Sequence, residues 1–178
     1  QVFEVILITD GSPAHTLEVV EEFRDNPLVR IFKFPTSSGN AVRGRNKGIL
    51  EAKGKYLAFL ASDDVAARDR LEVCLPILES GVDVVYGGWR ALLDGTREID
   101  GLVNGQEVYS PDCDLEMLEK ICVPCQSTVM VRRDTLLRTG FLKHRMEYRE
   151  DHELWLRLAY NGAKFKSIPH VRTDLRLH

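Results

Sequence analysis

The 178 residues contain no apolar stretch approaching the roughly 20 residues that a membrane-spanning helix needs. A signal-peptide pattern is missing too: the first residue is Gln1, and acidic Glu4 lies inside the first apolar run. Charge of one sign is scarce, since 24 basic against 27 acidic side chains leave a net charge of −3. That balance gives no electrostatic reason to bind nucleic acid. Four cysteines are too few for a disulfide scaffold in a chain of this length. Cys122-Val123-Pro124-Cys125 has the spacing of a redox pair, but it leads into strand-like Gln126-Ser127-Thr128-Val129-Met130-Val131 rather than into a helix. No second cysteine pair is present to complete a zinc site. Reduced thiols and a cytoplasmic location are therefore the expectation.

What is present is a globular balance, 44% hydrophobic and 29% charged, without repeats, low-complexity tracts or an interdomain linker. One domain over residues 1–178 is expected. Residues 2–9 form a nearly continuous apolar run, the mark of a strand covered on both faces. Thr16 can cap a helix that puts Leu17, Val20 and Phe23 on one side. A strand at 29–34, a helix at 41–53 stopped by Gly54, a strand at 56–61, a helix at 68–79 and a strand at 82–86 follow. This alternation argues for an α/β protein with a mostly parallel twisted sheet and helices on both faces. Beyond residue 87 the rhythm changes. Residues 89–93 and 96–102 around Asp94-Gly95 read as a hairpin, which makes a small antiparallel part in the C-terminal half. Helices at 115–121, 135–139 and 150–161, the last stopped by Gly162, and strands at 127–131, 164–168 and 171–177 complete the chain.

The apolar run Tyr56-Leu57-Ala58-Phe59-Leu60-Ala61 breaks into Ser62-Asp63-Asp64. A buried strand ending in two carboxylates puts negative charge at the sheet rim, where α/β proteins bind ligands. Paired hard oxygens there suit a divalent cation, which can in turn hold a diphosphate. Taken alone, the pair reads more readily as a cap for the helix that follows. Three further segments stand in order around it: Val5-Ile6-Leu7-Ile8-Thr9-Asp10-Gly11-Ser12, Arg43-Gly44-Arg45-Asn46-Lys47-Gly48-Ile49, and Glu150-Asp151-His152-Glu153-Leu154-Trp155-Leu156-Arg157-Leu158.

Together these four segments resemble the family-2 inverting glycosyltransferases, enzymes of GT-A fold that use a nucleotide-activated sugar, from about residue 5 to residue 178. The resemblance implies that Thr9 and Asp10 stand where the family contacts the nucleoside, with Thr9 replacing a carboxylate. It implies Arg45 near the base or diphosphate, and Asp63 and Asp64 on the ribose, the diphosphate and a Mn or Mg cation. Arg43 and Lys47 read as a solvated basic helix face. Asp151 is the implied catalytic base, with Glu150 beside it to orient the base or the acceptor. His178, in an Arg-x-His ending, is a further metal candidate. Trp155 reads as core packing. By the same resemblance residues 1–87 form the nucleotide-binding half and residues 88–178 the acceptor-binding half. The partners implied are a nucleotide-diphosphate sugar donor and a glycan or lipid-linked acceptor, with peripheral attachment at the inner membrane face as a variant of the cytoplasmic location.

Two departures stand out. The family's metal motif often opens with one more acid, where this chain has Ala61. The resemblance also starts late, apparently without the first strand and helix. Residues 2–9 and 56–61 would flank that strand, so a further segment or a homo-oligomeric contact is expected to cover the gap. The competing function is a degenerate, non-catalytic GT-A domain that binds a nucleotide or glycan.

Overall fold

The computed structural model describes residues 3–93, 101–144, 146 and 149–177. Strand β1 (Val5–Asp10) and strand β2 (Val29–Phe34) flank helix α1 (Ala14–Glu21) and pair in parallel, Val5 opposite Val29 through Asp10 opposite Phe34. Helix α2 (Val42–Glu51) ends before Gly54: Ala52 is already extended, and the Glu4 carboxylate accepts the Lys53 N–H at 2.5 Å. The cap expected of Gly54 is therefore supplied by Glu4, the residue before β1.

Strand β3 (Tyr56–Ala58) is shorter than its apolar run, and the two-residue β4 (Val65–Ala66) follows the acidic turn. Helix α3 (Arg70–Glu79) leads into β5 (Val84–Leu93), one strand that passes through Gly87 and Gly88 without stopping. Its antiparallel return is β6 (Glu107–Val108), opposite Trp89 and Arg90. The turn expected at Asp94-Gly95 and most of the strand expected at 96–102 lie outside the described residues.

Helix α4 (Leu115–Lys120) precedes a 3-10 turn over Gln126–Thr128, and only then β7 (Met130–Arg132). The strand expected from residue 127 begins late because Thr128 and Val129 N–H turn back to the Cys125 and Gln126 carbonyls, at 2.9 and 3.0 Å. Helices α5 (Arg133–Thr139) and α6 (Glu150–Tyr160) and strand β8 (Phe165–Leu177) finish the fold. The two strands expected at 164–168 and 171–177 are one, bent where its register against β5 shifts around Gly87 and Gly88. A Cβ on Gly88 would stand 2.5 Å from the Val108 carbonyl, so only glycine lets β6 and β8 crowd it from both sides.

The larger sheet has the order β3-β7-β5-β8-β4, with β6 also on β5. Among the described ladders only β1·β2 and β5·β8 are parallel, whereas β3·β7, β5·β7, β5·β6 and β4·β8 are antiparallel. The sheet is thus mixed rather than mostly parallel, because the chain reverses repeatedly after β5. Helices do cover both of its faces. Alternate β5 residues face opposite ways: Val84 and Tyr86 pack with α2, α4, α5 and α6, and Val85 packs with α3. Among the described residues no ladder joins β1 to β3, and none of the helices is long and apolar enough to cross a membrane.

Candidate active site

The acidic turn sits where two strands part. Phe59 N–H still reaches the Val129 carbonyl at 3.1 Å, but Ala61 N–H is met by a side chain, Ser127 Oγ, at 3.0 Å. Arg70, only 3% exposed, staples this parting from below, donating Nη2 to the Phe59 and Val129 carbonyls at 3.0 and 2.9 Å. Burial pushes its guanidinium pKa down. Beyond the turn β4 pairs with β8, and the Arg176 N–H donates to Asp64 Oδ1 at 3.0 Å. The last strand thereby fixes the second acid of the pair. Asp63 and Asp64 offer hard oxygens of the kind Mn²⁺ or Mg²⁺ prefers. Among the described residues no group of three or more His, Cys, Asp or Glu could hold a metal alone. A cation held by these two carboxylates would need most of its oxygen shell from other ligands. His178 lies outside the described residues.

At the end of β1, Asp10 is fully engaged. One oxygen accepts Arg43 Nε at 2.7 Å and also Arg43 Nη2; the other accepts Ser38 N–H and Oγ, at 2.9 and 2.7 Å. Burial opposes its charge, yet the Ser38 donors and the Arg43 guanidinium hold its pKa below the ordinary carboxylate range. Arg43 also lies over the Phe34 ring, 4.2 Å from its centroid. Arg43 is thus not part of a solvated face: it ties the loop at 36–40 to β1. Lys47 pairs with Glu51 one turn on. Thr9 is 5% exposed, and among the described residues its buried hydroxyl has no hydrogen-bond partner.

The second half of the site is the start of α6. Its N-cap, Arg149, is a non-glycine residue in the left-handed region, at φ 61° and ψ 28°. Glu150, Asp151 and Glu153 fill the first turn, where the helix dipole favours negative charge. Arg45 Nη1 donates to Glu150 Oε1 at 2.7 Å. Asp151 Oδ1 accepts the His152 N–H at 2.7 Å, and His152 Nε2 meets the Leu118 carbonyl at 2.6 Å, seating α6 on α4. Trp155 is fully buried, edge-on to Phe59 at 6.5 Å, as its reading as core packing expected.

Cys125 immediately precedes the 3-10 turn whose Ser127 meets the acidic turn. Its thiol is pushed up to about 11, first by burial and then by the charges of Asp64 and Asp151, with Arg45 opposing. Cys122, by contrast, is exposed. A Cys125 thiol raised in this way is a poor source of the thiolate that a redox pair needs. Arg43, Arg70 and Cys125 were not legible as site residues. Arg43 sits only one turn before Glu-paired Lys47, and nothing local marks Arg70 or Cys125 as the ones the fold turns inward.

Residues 1–140 match the family model described as Glycosyl transferase family 2. Among relatives, a UDP-Glc:α-D-GlcNAc-diphosphoundecaprenol β-1,3-glucosyltransferase, WfaP of Escherichia coli, is 28% identical over 178 residues, 98% of this chain and 66% of its own length. Among solved structures, Staphylococcus aureus TarS 1–349 in complex with UDP-GlcNAc superposes with a TM-score of 0.77 at 18% identity, covering 99% of this chain and 50% of that one. The mannosyltransferase PcManGT from Pyrobaculum calidifontis, in complex with GDP-Man and Mn²⁺, gives 0.67 at 16% identity, covering 97% and 47%. This chain thus spans about half of the solved neighbours and two thirds of the relative. The likeness identifies the architecture as the GT-A fold. With that fold and a family match that runs from β1 through α5, the chain belongs to glycosyl transferase family 2.

Proposed function

We propose that the protein, as part or all of a longer enzyme, moves a sugar from a nucleotide-diphosphate sugar to an acceptor hydroxyl with inversion and with help from a divalent cation. The observation that carries this reading is geometric: Arg45 of the donor-side helix α2 meets Glu150, next to Asp151, at 2.7 Å, while Asp64 on the acidic turn is fixed by the Arg176 N–H at 3.0 Å. One carboxylate for the leaving diphosphate and one for the acceptor is what direct displacement requires.

On this reading Asp151 accepts the proton of the acceptor hydroxyl while that oxygen bonds to the anomeric carbon. The bond from that carbon to the diphosphate oxygen breaks, and the nucleoside diphosphate leaves with the electron pair. Asp63 and Asp64 would hold Mn²⁺ or Mg²⁺, which supplies Lewis-acid neutralisation of the departing charge. Thr9 and Asp10 belong to the donor end of residues 1–87, with Asp10 bracing the loop at 36–40. Residues 88–178 carry the acceptor side. The PcManGT complex with Mn²⁺ supports the cation, and the diphosphoundecaprenol in the WfaP name supports a lipid-linked or glycan acceptor. A place in the cytoplasm, at or near the inner membrane face, accords with such an acceptor. The degenerate reading is not favoured, because Asp63, Asp64 and Asp151 are all retained.

Calorimetry with UDP and with GDP, each with and without Mn²⁺, tests the donor half. Binding that requires the cation is expected. Turnover of UDP-glucose, UDP-GlcNAc or GDP-mannose, followed by assignment of the product anomer, tests the rest. A product that retains the donor's anomeric configuration would overturn inversion, and metal-independent binding would overturn the cation's role.

A further inference from the structure

We propose that Arg45 is a positioning residue: through Glu150 it fixes the first turn of α6, and with it the carboxylate of Asp151, against the donor-side helix α2. This rests on the reading of Asp151 as the base, and it replaces the direct diphosphate contact that family resemblance implies for Arg45. Its Nη1 lies 2.7 Å from Glu150 Oε1, and the two side chains are only 26% and 19% exposed. A pair so far out of water is screened less than a surface pair.

Arg45 does not act alone. The adjacent Asn46, 7% exposed, pairs with the Leu142 main chain as a strand would, donating Nδ2 to its carbonyl at 2.8 Å and accepting its N–H at 3.0 Å. At the far end of α2, Arg133 donates to the Ile49 and Leu50 carbonyls, both at 3.2 Å. Helix α2 is thus a splint tied to α5, to the segment before α6, and to α6 itself.

The start of α6 needs such a splint. Its N-cap is left-handed Arg149, which contributes no side-chain cap. A non-glycine residue in that region persists where its surroundings over-determine it. Three carboxylates in one turn also repel one another. Among the described residues Asp151 is in no ion pair, whereas its neighbours Glu150 and Glu153 are. A cation bonded to the base itself would compete with the incoming proton. By taking Glu150 instead, Arg45 orients the base and leaves its carboxylate to the acceptor.

The test compares the full chain with Arg45→Met, Glu150→Gln and the exchange Arg45→Glu with Glu150→Arg. Two quantities are read: hydrogen exchange of the amides at 150–153, and nucleoside diphosphate release from whichever of UDP-glucose, UDP-GlcNAc and GDP-mannose is turned over. Each single variant is expected to speed exchange there by about tenfold and to lower kcat by about tenfold or more, with donor KM within about threefold of wild type. The exchanged pair is expected to recover most of both. Unchanged exchange together with a donor KM raised more than about tenfold in Arg45→Met would overturn the proposal and make Arg45 a diphosphate ligand. Failure of the exchanged pair to recover anything would also overturn it. Full activity in Asp151→Asn would instead remove the base, while the exchange result would still decide whether Arg45 holds the turn.

Discussion

Asp64 Oδ1 accepts the main-chain N–H of Arg176, 112 residues further on, at 3.0 Å. The acidic turn is therefore not a free loop end. One carboxylate oxygen is fixed by β8, and the metal reading assigns the rest of the group to the donor.

Substitutions at Asp64 separate those two duties. Asp64→Asn keeps an acceptor for the Arg176 N–H but loses the charge, so its thermal midpoint should stay near wild type while Mn²⁺-dependent UDP or GDP affinity falls by about tenfold or more. Asp64→Ala should lose the same affinity and about 1 kcal/mol of stability besides. Calorimetry and melting measure both. Undiminished metal-dependent affinity in the Asn variant would remove Asp64 from the cation.

Asp151→Asn should bind donor as wild type does and lose transfer by about a hundredfold to ten-thousandfold in kcat, because the amide is nearly isosteric but cannot take the proton. Steady-state kinetics decides this. Activity within about threefold of wild type would show that another group is the base.

Asn46→Ala should destabilise the fold by about 2–3 kcal/mol, since it strands both the N–H and the carbonyl of Leu142 in a buried place. In a chain of this size that lowers the melting midpoint by about 4–12 °C. Urea unfolding should show the loss in the midpoint with an unchanged slope. A change below about 0.5 kcal/mol would mean that water replaces the amide freely.

Acid should weaken the fold partly through Glu153. Arg157 donates to both of its oxygens at 2.9 Å, and Lys143 reaches it at 2.6 Å. These hydrogen bonds, Arg157 first, hold its pKa below the ordinary value of 4.5. The folded state thus binds fewer protons than the unfolded one in this window. The contribution is present above pH 4.5 and is lost as pH falls through the folded pKa. Glu153→Gln should cost stability at pH 7 and less at pH 3. Equal losses at the two values would place the effect in packing rather than charge.

Much of this fold is legible in residue order. The strand at 29–34 and the helix from residue 150 to its stop at Gly162 come directly from apolar period and turn chemistry, and Gly162 indeed has a left-handed φ of 81°. What escapes is whatever depends on a distant partner. Gly87-Gly88 looks like the end of a strand, yet it lies inside β5, because the Val108 and His170 carbonyls and the Ile168 side chain leave no room for a Cβ. Residues 59–61 have strand composition, but Ser127 and Arg70 take over where the ladder would continue. In the site, Asp64, Asp151 and Arg45 are marked by motif order. Two of the partners that set their geometry, the Arg176 N–H on Asp64 and the His152 N–H on Asp151, are main-chain groups, which carry no signature in the sequence.

The length of β8 bears on the order in which the molecule assembles. It docks on β5 with Val84 opposite Phe165, and only its far end meets β4 and Asp64. Closing so large a loop delays those contacts relative to a local unit such as β1–α1–β2. The rim should therefore be the last region to order during refolding. Changes there should speed unfolding more than they slow folding, so the Asp64 carboxylate would sit on the part of the chain that commits latest.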